Sequence, residues 1–290
     1  MNRQGSAPPT VAGCLGAAAR QLAAALGLGA REARLEARVL AAFAWEVAPA
    51  WLLAHDTDAV PAAQAAAFDA LLSRRLAGEP VAYLTGRREF FGRPFLVSPD
   101  VLIPRPETEL LVELALTRIA PGQAATLLDL GTGSGCIAIT LARERPNARV
   151  TAVDRSAAAL AVARRNATLL DADVEFLTSD WFAALAGRRF DCIVGNPPYV
   201  AAADPHLARG DVRFEPASAL AAGADGLADL RHLVAAARGH LVPGGTLLLE
   251  HGYDQAPAVR ALLDAHGYAD IQTWPDLAGL PRVSGGRVSE

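Results

Sequence analysis

The sequence contains no lysine, and all 27 of its basic residues are arginine. This absence excludes every mechanism that needs a lysine amine: Schiff-base catalysis, a pyridoxal phosphate anchor, and the lysine of a P-loop. The arginines by themselves indicate no function, because the chain is also rich in alanine and the two features together point to a compositional bias.

Cysteine is scarce as well. Its three cysteines, Cys14, Cys136 and Cys192, are odd in number and far apart, and none belongs to a CxxC or Cys/His cluster. The pattern therefore indicates neither a disulfide framework nor a structural zinc site, and we expect no metal. Cys136 and Cys192 lie in apolar surroundings, which predicts that both are small core residues.

Long hydrophobic runs and an excess of positive charge are also missing. No stretch approaches the roughly 18 uncharged apolar residues of a membrane span, and residues 1–6 lack the basic-then-apolar pattern of a signal peptide. The net charge of −4 argues against a protein that grips many nucleic-acid phosphates. The sequence therefore predicts a cytoplasmic protein with neither a membrane nor a nucleic-acid partner.

Hydrophobic periodicity and the content of proline and glycine divide the chain into three regions. Apolar residues recur at helical spacing up to residue 78, which predicts a small all-α domain over 1–78 with a scaffolding or partner-docking role. Residues 79–106 are rich in proline and glycine between short aromatic pieces, including 81–84, and predict a hairpin-like linker rather than a helix.

From residue 107 to the end, strand-like and helix-like segments alternate. Strands are predicted at 127–130, 149–153, 174–177, 191–194 and 246–249, and helices at 136–145, 157–166 and 228–241. Such alternation predicts an α/β domain with a Rossmann-like, doubly wound, mostly parallel sheet. Ligands of such sheets bind at the carboxyl ends of the strands.

Polar motifs follow three successive predicted strands. A glycine-rich turn over 129–135 joins the first strand to its helix, but it is not the G-x-G-x-x-G fingerprint because position 136 is cysteine. Asp154 ends the second strand, where a carboxylate can accept hydrogen bonds from both ribose hydroxyls. Asp180 and Trp181 follow the third strand and could receive the edge and face of an adenine. Together these motifs predict a ligand that carries a nucleoside.

The tetrapeptide Asn196-Pro197-Pro198-Tyr199 follows the apolar run 192–194. Its two prolines fix φ, lack N–H donors and hold the preceding residues extended, which makes the segment stiff. The Asn196 side-chain oxygen and the Pro197 carbonyl can accept both N–H bonds of a planar NH₂ group, with the Tyr199 ring against its face. The motif therefore predicts chemistry on an sp² nitrogen.

The order of these motifs resembles the class I S-adenosylmethionine-dependent methyltransferases, and the tetrapeptide resembles the branch that methylates planar exocyclic nitrogens. Segments 74–86, 89–92, 101–109 and 204–216 are similar to the peptide chain release factor glutamine methyltransferase family. The similarity covers nearly the whole chain, and Ser134 is only a mild variation in the glycine-rich turn.

The resemblance implies that S-adenosylmethionine is the cofactor and that the reaction is N5-methylation of the Gly-Gly-Gln glutamine in bacterial release factors. It also implies that the helical domain helps to dock the release factor. The implied cofactor-binding residues are Asp129, Gly131, Thr132, Gly133, Ser134, Gly135, Asp154, Asp180, Trp181 and Asn196. The implied glutamine site is Asn196, Pro197, Pro198 and Tyr199, with Asn196, Pro197 and Tyr199 as catalytic residues.

Other interpretations remain open at this point. The chain could be the related glutamine methyltransferase of a large-subunit ribosomal protein, a nucleic-acid methyltransferase acting on adenine N6 or guanine N2, or a non-enzymatic nucleotide-binding protein. We expect His251 to be structural rather than a general base. We expect Arg105 and Glu107 to form a salt-bridged brace more than to act directly.

Overall fold

The computed structural model describes residues 8–289, so the segment 1–6 that was searched for a signal peptide lies outside the described residues. The chain divides into two compact units between Gly86 and Arg87. None of the helices within 8–289 is both long enough and apolar enough to cross a membrane. The limits 1–78, 79–106 and 107–290 stay a prediction for the domains.

The regular elements in the described part of the first unit, from residue 8, are helices. Its helices are α1 (Val11–Leu26), α2 (Ala30–Ala44), α3 (Pro49–Ala54), α4 (Ala62–Leu76) and α5 (Val81–Thr85). The Thr10 hydroxyl caps α1 by accepting the N–H of Gly13 at 3.2 Å, and Gly27 ends that helix in the left-handed conformation. Leu22, Leu40 and Phe68 are fully buried in the core.

Helix α5 corrects the expectation that 81–84 belongs to an extended linker. Ala82, Tyr83 and Leu84 are all buried, whereas a strand would turn successive side chains to opposite faces. Gly86 then ends the helix at φ +69°. The predicted hairpin follows as β1 (Arg87–Phe90) paired antiparallel with β2 (Arg93–Leu96).

The second unit contains a seven-stranded sheet that confirms the predicted doubly wound α/β fold. Its strands are β3 (Thr126–Leu130), β4 (Arg149–Asp154), β5 (Glu175–Thr178), β6 (Phe190–Gly195), β7 (Leu241–Glu250), β8 (Ala269–Pro275) and β9 (Pro281–Arg287). Their order is β5-β4-β3-β6-β7-β9-β8. The first five are parallel, and β9 and β8 are antiparallel.

The helices beside this sheet are α6 (Glu109–Arg118), α7 (Cys136–Glu144), α8 (Ala157–Leu169), α9 (Ala228–Ala237) and α10 (Ala256–Ala265). Residues of α6 and α7 pack on one face of the sheet, and residues of α9 and α10 pack on the other. Alternate residues of each central strand therefore enter different cores, and Cys136 and Cys192 are buried as predicted.

Two boundaries differ from the sequence-based expectations, and some elements were not predicted. Helix α9 ends at Ala237 instead of 241, and β7 begins at Leu241 instead of 246. Pro243 cannot continue a helix, which explains the earlier start of the strand. Helices α6 and α10 and strands β8 and β9 were not predicted. Strand β9, the last of these, contains Gly285, where an added Cβ would collide with the carbonyl oxygen of Leu247 on β7.

The chain order positions the site. Strands β3, β4 and β5 extend the sheet in one direction, and β6 and β7 extend it in the other. A crevice therefore opens at the carboxyl ends of β3 and β6, where the strand order reverses. The glycine-rich turn follows β3, and Asn196 follows β6, so both predicted motifs lie at this crevice.

Candidate active site

A cavity of about 280 Å³ lies at the carboxyl ends of β3, β4, β5 and β6. We call it the cofactor cavity. Of the predicted site residues it is lined by Gly131, Gly133, Asp154, Asp180, Trp181, Asn196 and Pro198. Residues predicted from four separate stretches of sequence thus meet at one cavity.

The glycine-rich turn needs its glycines for two different reasons. Gly131, Gly133 and Gly135 all have positive φ, at 71°, 53° and 83°. A Cβ on Gly135 would lie 2.8 Å from Cδ1 of Ile139 and 3.1 Å from Cβ of Ala163, so packing also excludes a side chain there. A Cβ on Gly131 would lie 3.3 Å from the Trp181 ring.

Other residues of the turn support it without lining the cofactor cavity. Asp129 is fully buried and accepts a hydrogen bond of 2.6 Å from the Thr132 hydroxyl. Burial raises the pKa of the Asp129 carboxyl to about 7. The Ser134 carbonyl accepts a hydrogen bond of 2.9 Å from Nδ2 of Asn166. Asp129, Thr132 and Ser134 therefore hold the shape of the turn.

Asp154 lines the cofactor cavity beside the turn. Its Oδ2 accepts the N–H of Gly133 at 2.9 Å, and its Oδ1 accepts the N–H of Ser156 at 2.8 Å. A carboxylate has about four lone-pair sites, so both oxygens can still accept hydrogen bonds from a ligand. The carboxylate is thus oriented by backbone groups before any ligand binds.

Trp181 has a positive φ of 47°, and the Ser179 hydroxyl donates a 2.8 Å hydrogen bond to its carbonyl. Asp229 is another lining residue that sequence reasoning missed. Burial raises the pKa of the Asp229 carboxyl, and the nearby Trp181 side chain partly opposes that shift. An acid in the first turn of a helix is also a common dipole partner, so its sequence signal was ambiguous.

A second cavity of about 200 Å³ adjoins the first, and we call it the acceptor cavity. It is lined by Leu102, Arg105, Asn196, Tyr199, Val200, His206, Leu207, Val212, Ala219 and Leu220. Leu102, Asn196 and Ala219 line both cavities. Asn196 is therefore a polar side chain at the junction of the two.

The tetrapeptide 196–199 is held from several directions. Nδ2 of Asn196 donates to the Thr108 hydroxyl at 3.1 Å, which leaves Oδ1 as its free acceptor. Pro197 is buried. The Tyr199 carbonyl accepts a 2.9 Å hydrogen bond from Nε2 of Gln255, and the Tyr199 hydroxyl lies 3.5 Å from Oε1 of Glu250. Burial raises the pKa of the Tyr199 hydroxyl.

Glu250, at the end of β7, was not predicted as a site residue. It is 1% exposed, and burial raises the pKa of its carboxyl to about 7. Both ring nitrogens of the neighbouring His251 make hydrogen bonds. Nδ1 lies 2.8 Å from the Gly252 carbonyl oxygen, and Nε2 lies 2.8 Å from the Ser284 hydroxyl. Burial lowers the pKa of His251, and His251 lines neither cavity, in line with the structural role expected for it.

The brace predicted around Arg105 has a different partner. Glu215 forms the ion pair with Arg105 and also accepts the N–H of Ile103 at 3.0 Å. The Glu215 side chain is fully buried. It joins the proline-rich loop 99–106 to the loop 200–222, and residues of both loops line both cavities. The sequence did not reveal this partner, because the two residues are 110 positions apart.

The ends of the loop 200–222 are fastened to each other. The Val200 N–H donates to the Leu220 carbonyl at 2.9 Å, and the Ala222 N–H donates to the Val200 carbonyl at 2.9 Å. The two ends of the loop therefore lie side by side, directly after the tetrapeptide 196–199.

Comparisons with known proteins agree with these features. The PrmC N-terminal domain family matches residues 14–86, and the methyltransferase small domain family matches residues 106–219. The release factor glutamine methyltransferase of Burkholderia pseudomallei is 56% identical over 261 residues, which cover 88% of this chain and 92% of that protein. The Escherichia coli protein of the same name is 50% identical, with coverages of 82% and 86%.

Solved structures support the fold alone. A methyltransferase from Pyrococcus furiosus aligns with a TM-score of 0.53 at 20% identity, covering 75% of this chain and 98% of that one. A 16S rRNA N2 G1207 methyltransferase from Thermus thermophilus aligns with a TM-score of 0.51 at 23% identity, covering 70% and 49%. The sheet at the centre of the second unit is thus the sheet of known methyltransferases.

Proposed function

This chain belongs to the release factor glutamine methyltransferase family, and from that premise we propose its full reaction. It transfers a methyl group from S-adenosylmethionine to N5 of the Gly-Gly-Gln glutamine of bacterial peptide chain release factors. The observation that carries the proposal is the meeting of the two cavities at Asn196. A cytoplasmic location fits the modification of a translation factor.

The residues around the cofactor cavity suit the proposed cofactor. Asp154 would accept hydrogen bonds from the ribose hydroxyls, and Asp180 and Trp181 would bind the adenine. The positive-φ glycines of the turn let a ligand approach the main chain closely. When bound, S-adenosylmethionine supplies a methyl group activated by a sulfonium centre. Asp129, Thr132, Ser134 and Gly135 contribute by holding the turn.

The acceptor residues suit a primary amide. Oδ1 of Asn196 and the carbonyl of Pro197 accept the two N–H bonds of the glutamine side chain, and the Tyr199 ring packs on the amide plane. An amide nitrogen is a poor nucleophile because its lone pair is delocalised. The two acceptors favour a nitrogen that gains positive charge, so they stabilise the transition state more than the ground state.

Alignment supplies the other part of the rate enhancement. Holding a nucleophile in line with the group that it attacks can contribute about 7–11 kcal/mol. The stiff prolines, the bond from Gln255 to the Tyr199 carbonyl and the bond from Asn196 to Thr108 all restrict the acceptor residues before substrate binds.

The alternatives have less support. Relatives that share 50–56% of their residues with this chain are named for release factors, not for a ribosomal protein. A nucleic-acid substrate would favour a basic surface, whereas the net charge is −4. The helical unit is proposed to dock the release factor, because the PrmC N-terminal domain family matches it.

Mass spectrometry tests the proposal directly. A purified, unmethylated bacterial release factor is incubated with the protein and S-adenosylmethionine, and its peptides are then sequenced. We expect one added methyl group, on the glutamine of the Gly-Gly-Gln motif. Cofactor binding measured by calorimetry is the control. An unmodified release factor from a preparation that binds the cofactor would contradict the proposed substrate.

A further inference from the structure

Asn166 on helix α8 is a fully buried polar residue, and the proposed reaction gives it no role. Its side chain is 0% exposed, although asparagine is a poor helix former and a leucine of similar size would bury more apolar surface. A carboxamide inside a protein is costly unless its hydrogen bonds are made. The partners of Asn166 therefore indicate what this side chain does.

Three hydrogen bonds to main-chain groups hold the Asn166 carboxamide. Nδ2 donates to the carbonyls of Leu96 and Ser134, each at 2.9 Å, and Oδ1 accepts the Leu96 N–H at 2.7 Å. An NH₂ group has two N–H bonds, so both are used. A reversed carboxamide would set its NH₂ group against the Leu96 N–H and its oxygen against a carbonyl. The three contacts therefore fix the orientation of the side chain.

The two bonds to Leu96 fasten the edge of the hairpin. Leu96 is the last residue of β2, and within residues 8–289 this strand pairs with β1 alone. An edge strand leaves N–H and C=O groups that no neighbouring strand binds. Asn166 binds both groups of Leu96, as a neighbouring strand would. Because the proline-rich loop 99–106 follows shortly after Leu96, the same contact holds the start of that loop.

The third bond holds the glycine-rich turn, through the carbonyl of Ser134. Other residues of α8 contact the same part of the molecule: Ala163 packs beside Gly135, and Ala159 lines the cofactor cavity. Positions 159, 163 and 166 are four and three residues apart, so they share one face of the helix. This face of α8 therefore runs from the cofactor cavity along the turn to the hairpin.

The two segments that Asn166 holds both line the cofactor cavity. Gly131 and Gly133 belong to the glycine-rich turn, and Pro99 and Leu102 belong to the proline-rich loop 99–106. One buried side chain thus fixes both segments to α8. A site whose loops are ordered in advance avoids the cost of ordering them when the ligand binds.

We propose that Asn166 is a positioning residue for the cofactor. It holds the glycine-rich turn and the start of the loop 99–106 in the arrangement that binds S-adenosylmethionine. Asn166 lines neither cavity, so it acts through these two segments and not on the ligand itself. The inference rests on the proposed binding of S-adenosylmethionine in the cofactor cavity.

The Asn166→Leu variant tests the inference, because it keeps the approximate volume and removes all three hydrogen bonds. Its dissociation constant for S-adenosylmethionine, measured by calorimetry, should rise about 10-fold or more. At saturating cofactor, kcat with the release factor should stay within about threefold of wild type, because the acceptor residues 196–199 are unchanged. Asn166→Asp keeps the acceptor for the Leu96 N–H but has no donor for the two carbonyls, so it should weaken binding at least as much. Wild-type affinity in both variants would overturn the inference.

Two control variants separate positioning from a general loss of stability. Oδ2 of Asp191 accepts the N–H and the hydroxyl of Thr126, both at 2.7 Å, at the amino ends of β6 and β3 and so far from the cofactor cavity. Glu144→Ala breaks an ion pair of 2.6 Å that joins the hairpin residue Arg93 to α7 without involving the turn. Asp191→Ala and Glu144→Ala should both keep a cofactor dissociation constant within about twofold of wild type. Weakening of cofactor binding in both controls as large as in Asn166→Leu would overturn the inference.

A second measurement uses the wild-type protein alone and does not depend on the folding of any variant. In isotope-labelled full-length protein without cofactor, the side-chain NH₂ signal of Asn166 and the amide signal of Leu96 are assigned by triple-resonance spectra. We expect both to exchange slowly with solvent before S-adenosylmethionine is added. Rapid exchange that becomes slow only after the addition would overturn the inference.

The failure of this inference and that of the proposed function give different results. Equal cofactor affinity of wild type and Asn166→Leu would overturn the inference and leave the proposed function in place. A wild-type protein that binds no S-adenosylmethionine would overturn the proposed cofactor, and the inference with it.

Discussion

Two parts of the site are held by contacts that span very different distances along the chain. In the cofactor cavity, Asp154 is held by the N–H groups of residues 2 and 21 positions away. Asn196, where the two cavities meet, bonds to a residue 88 positions away, and Glu215, which joins the two loops that line both cavities, bonds to one 112 positions away. The Asp154 carboxylate is therefore held by neighbouring turns, whereas Asn196 and the two loops are held by remote segments.

This difference predicts different consequences of mutation. A change in the turns around Asp154 should weaken cofactor binding and leave the rest of the molecule intact. A change among the long-range contacts of Asn196 or Glu215 should affect the acceptor site, and in the buried cases also the stability of the second unit. Asn196, the polar residue that lines both cavities, should show the largest catalytic effect.

Asn196→Ala removes that shared residue. We expect kcat to fall by about 10²–10³-fold, the scale for the loss of one preorganised polar partner of the transition state. Cofactor affinity should change far less, because Asp154 and Trp181 remain. Steady-state kinetics with a release factor and calorimetry with the cofactor measure the two effects. A fully active variant would refute the role given to Asn196.

Glu215→Ala removes the contact between the loops 99–106 and 200–222. It leaves the N–H of Ile103 without its acceptor, and an unsatisfied buried group costs about 1–3 kcal/mol. We expect the free energy of unfolding to fall by about that amount and KM for the release factor to rise. Denaturant unfolding and kinetics measure both quantities.

Glu215→Gln is the matched comparison, since its carboxamide oxygen can still accept the N–H of Ile103. It should lose only the charge that faces Arg105 and should lie between wild type and Glu215→Ala. Equal stability of all three proteins would show that the contact between the loops contributes nothing.

Asp154→Asn changes the cofactor cavity instead. Its carboxamide keeps one acceptor oxygen and replaces the other with a donor, which then faces the N–H of Gly133 or Ser156. A hydrogen bond to a charged group contributes about 1.5–3 kcal/mol, so the dissociation constant of S-adenosylmethionine should rise about 10-fold or more. KM for the release factor should not change. The exposed Asp171→Asn serves as the control in calorimetry.

Tyr199→Phe should have the smallest effect. Its hydroxyl lies 3.5 Å from Oε1 of Glu250, which is long for a hydrogen bond, so the ring is expected to matter more than the hydroxyl. Tyr199→Ala removes the ring and should lower kcat/KM considerably more. Equal losses in the two variants would assign the role to the hydroxyl.

The residues that the sequence could predict are the ones held by near neighbours in the chain. Gly131, Gly133, Asp154, Asp180 and Trp181 were predicted from positions next to strand ends, and all five line one cavity. Each motif contains its own structural signal, because glycine conformations and strand–turn–helix order are local properties.

Residues with remote partners were the ones missed. Glu215 and Glu250 are single acids in sequence, and nothing beside them indicates the contact that each one makes. Arg105 was expected to join a brace, but its partner Glu215 became visible only when the loops 99–106 and 200–222 came together. Strands β8 and β9 were not predicted either, because β9 pairs with β7, some 35 residues earlier in the chain, and β8 pairs with β9.

The sequence by itself determined the parallel sheet, the glycine-rich turn and the stiffness of the tetrapeptide 196–199, because backbone restrictions and hydrophobic periodicity act between near neighbours. Only the tertiary structure decided which end of Asn196 faces the acceptor cavity and what holds the two loops together. Those features depend on Thr108 and Glu215, and packing brings these residues to their partners across long stretches of chain.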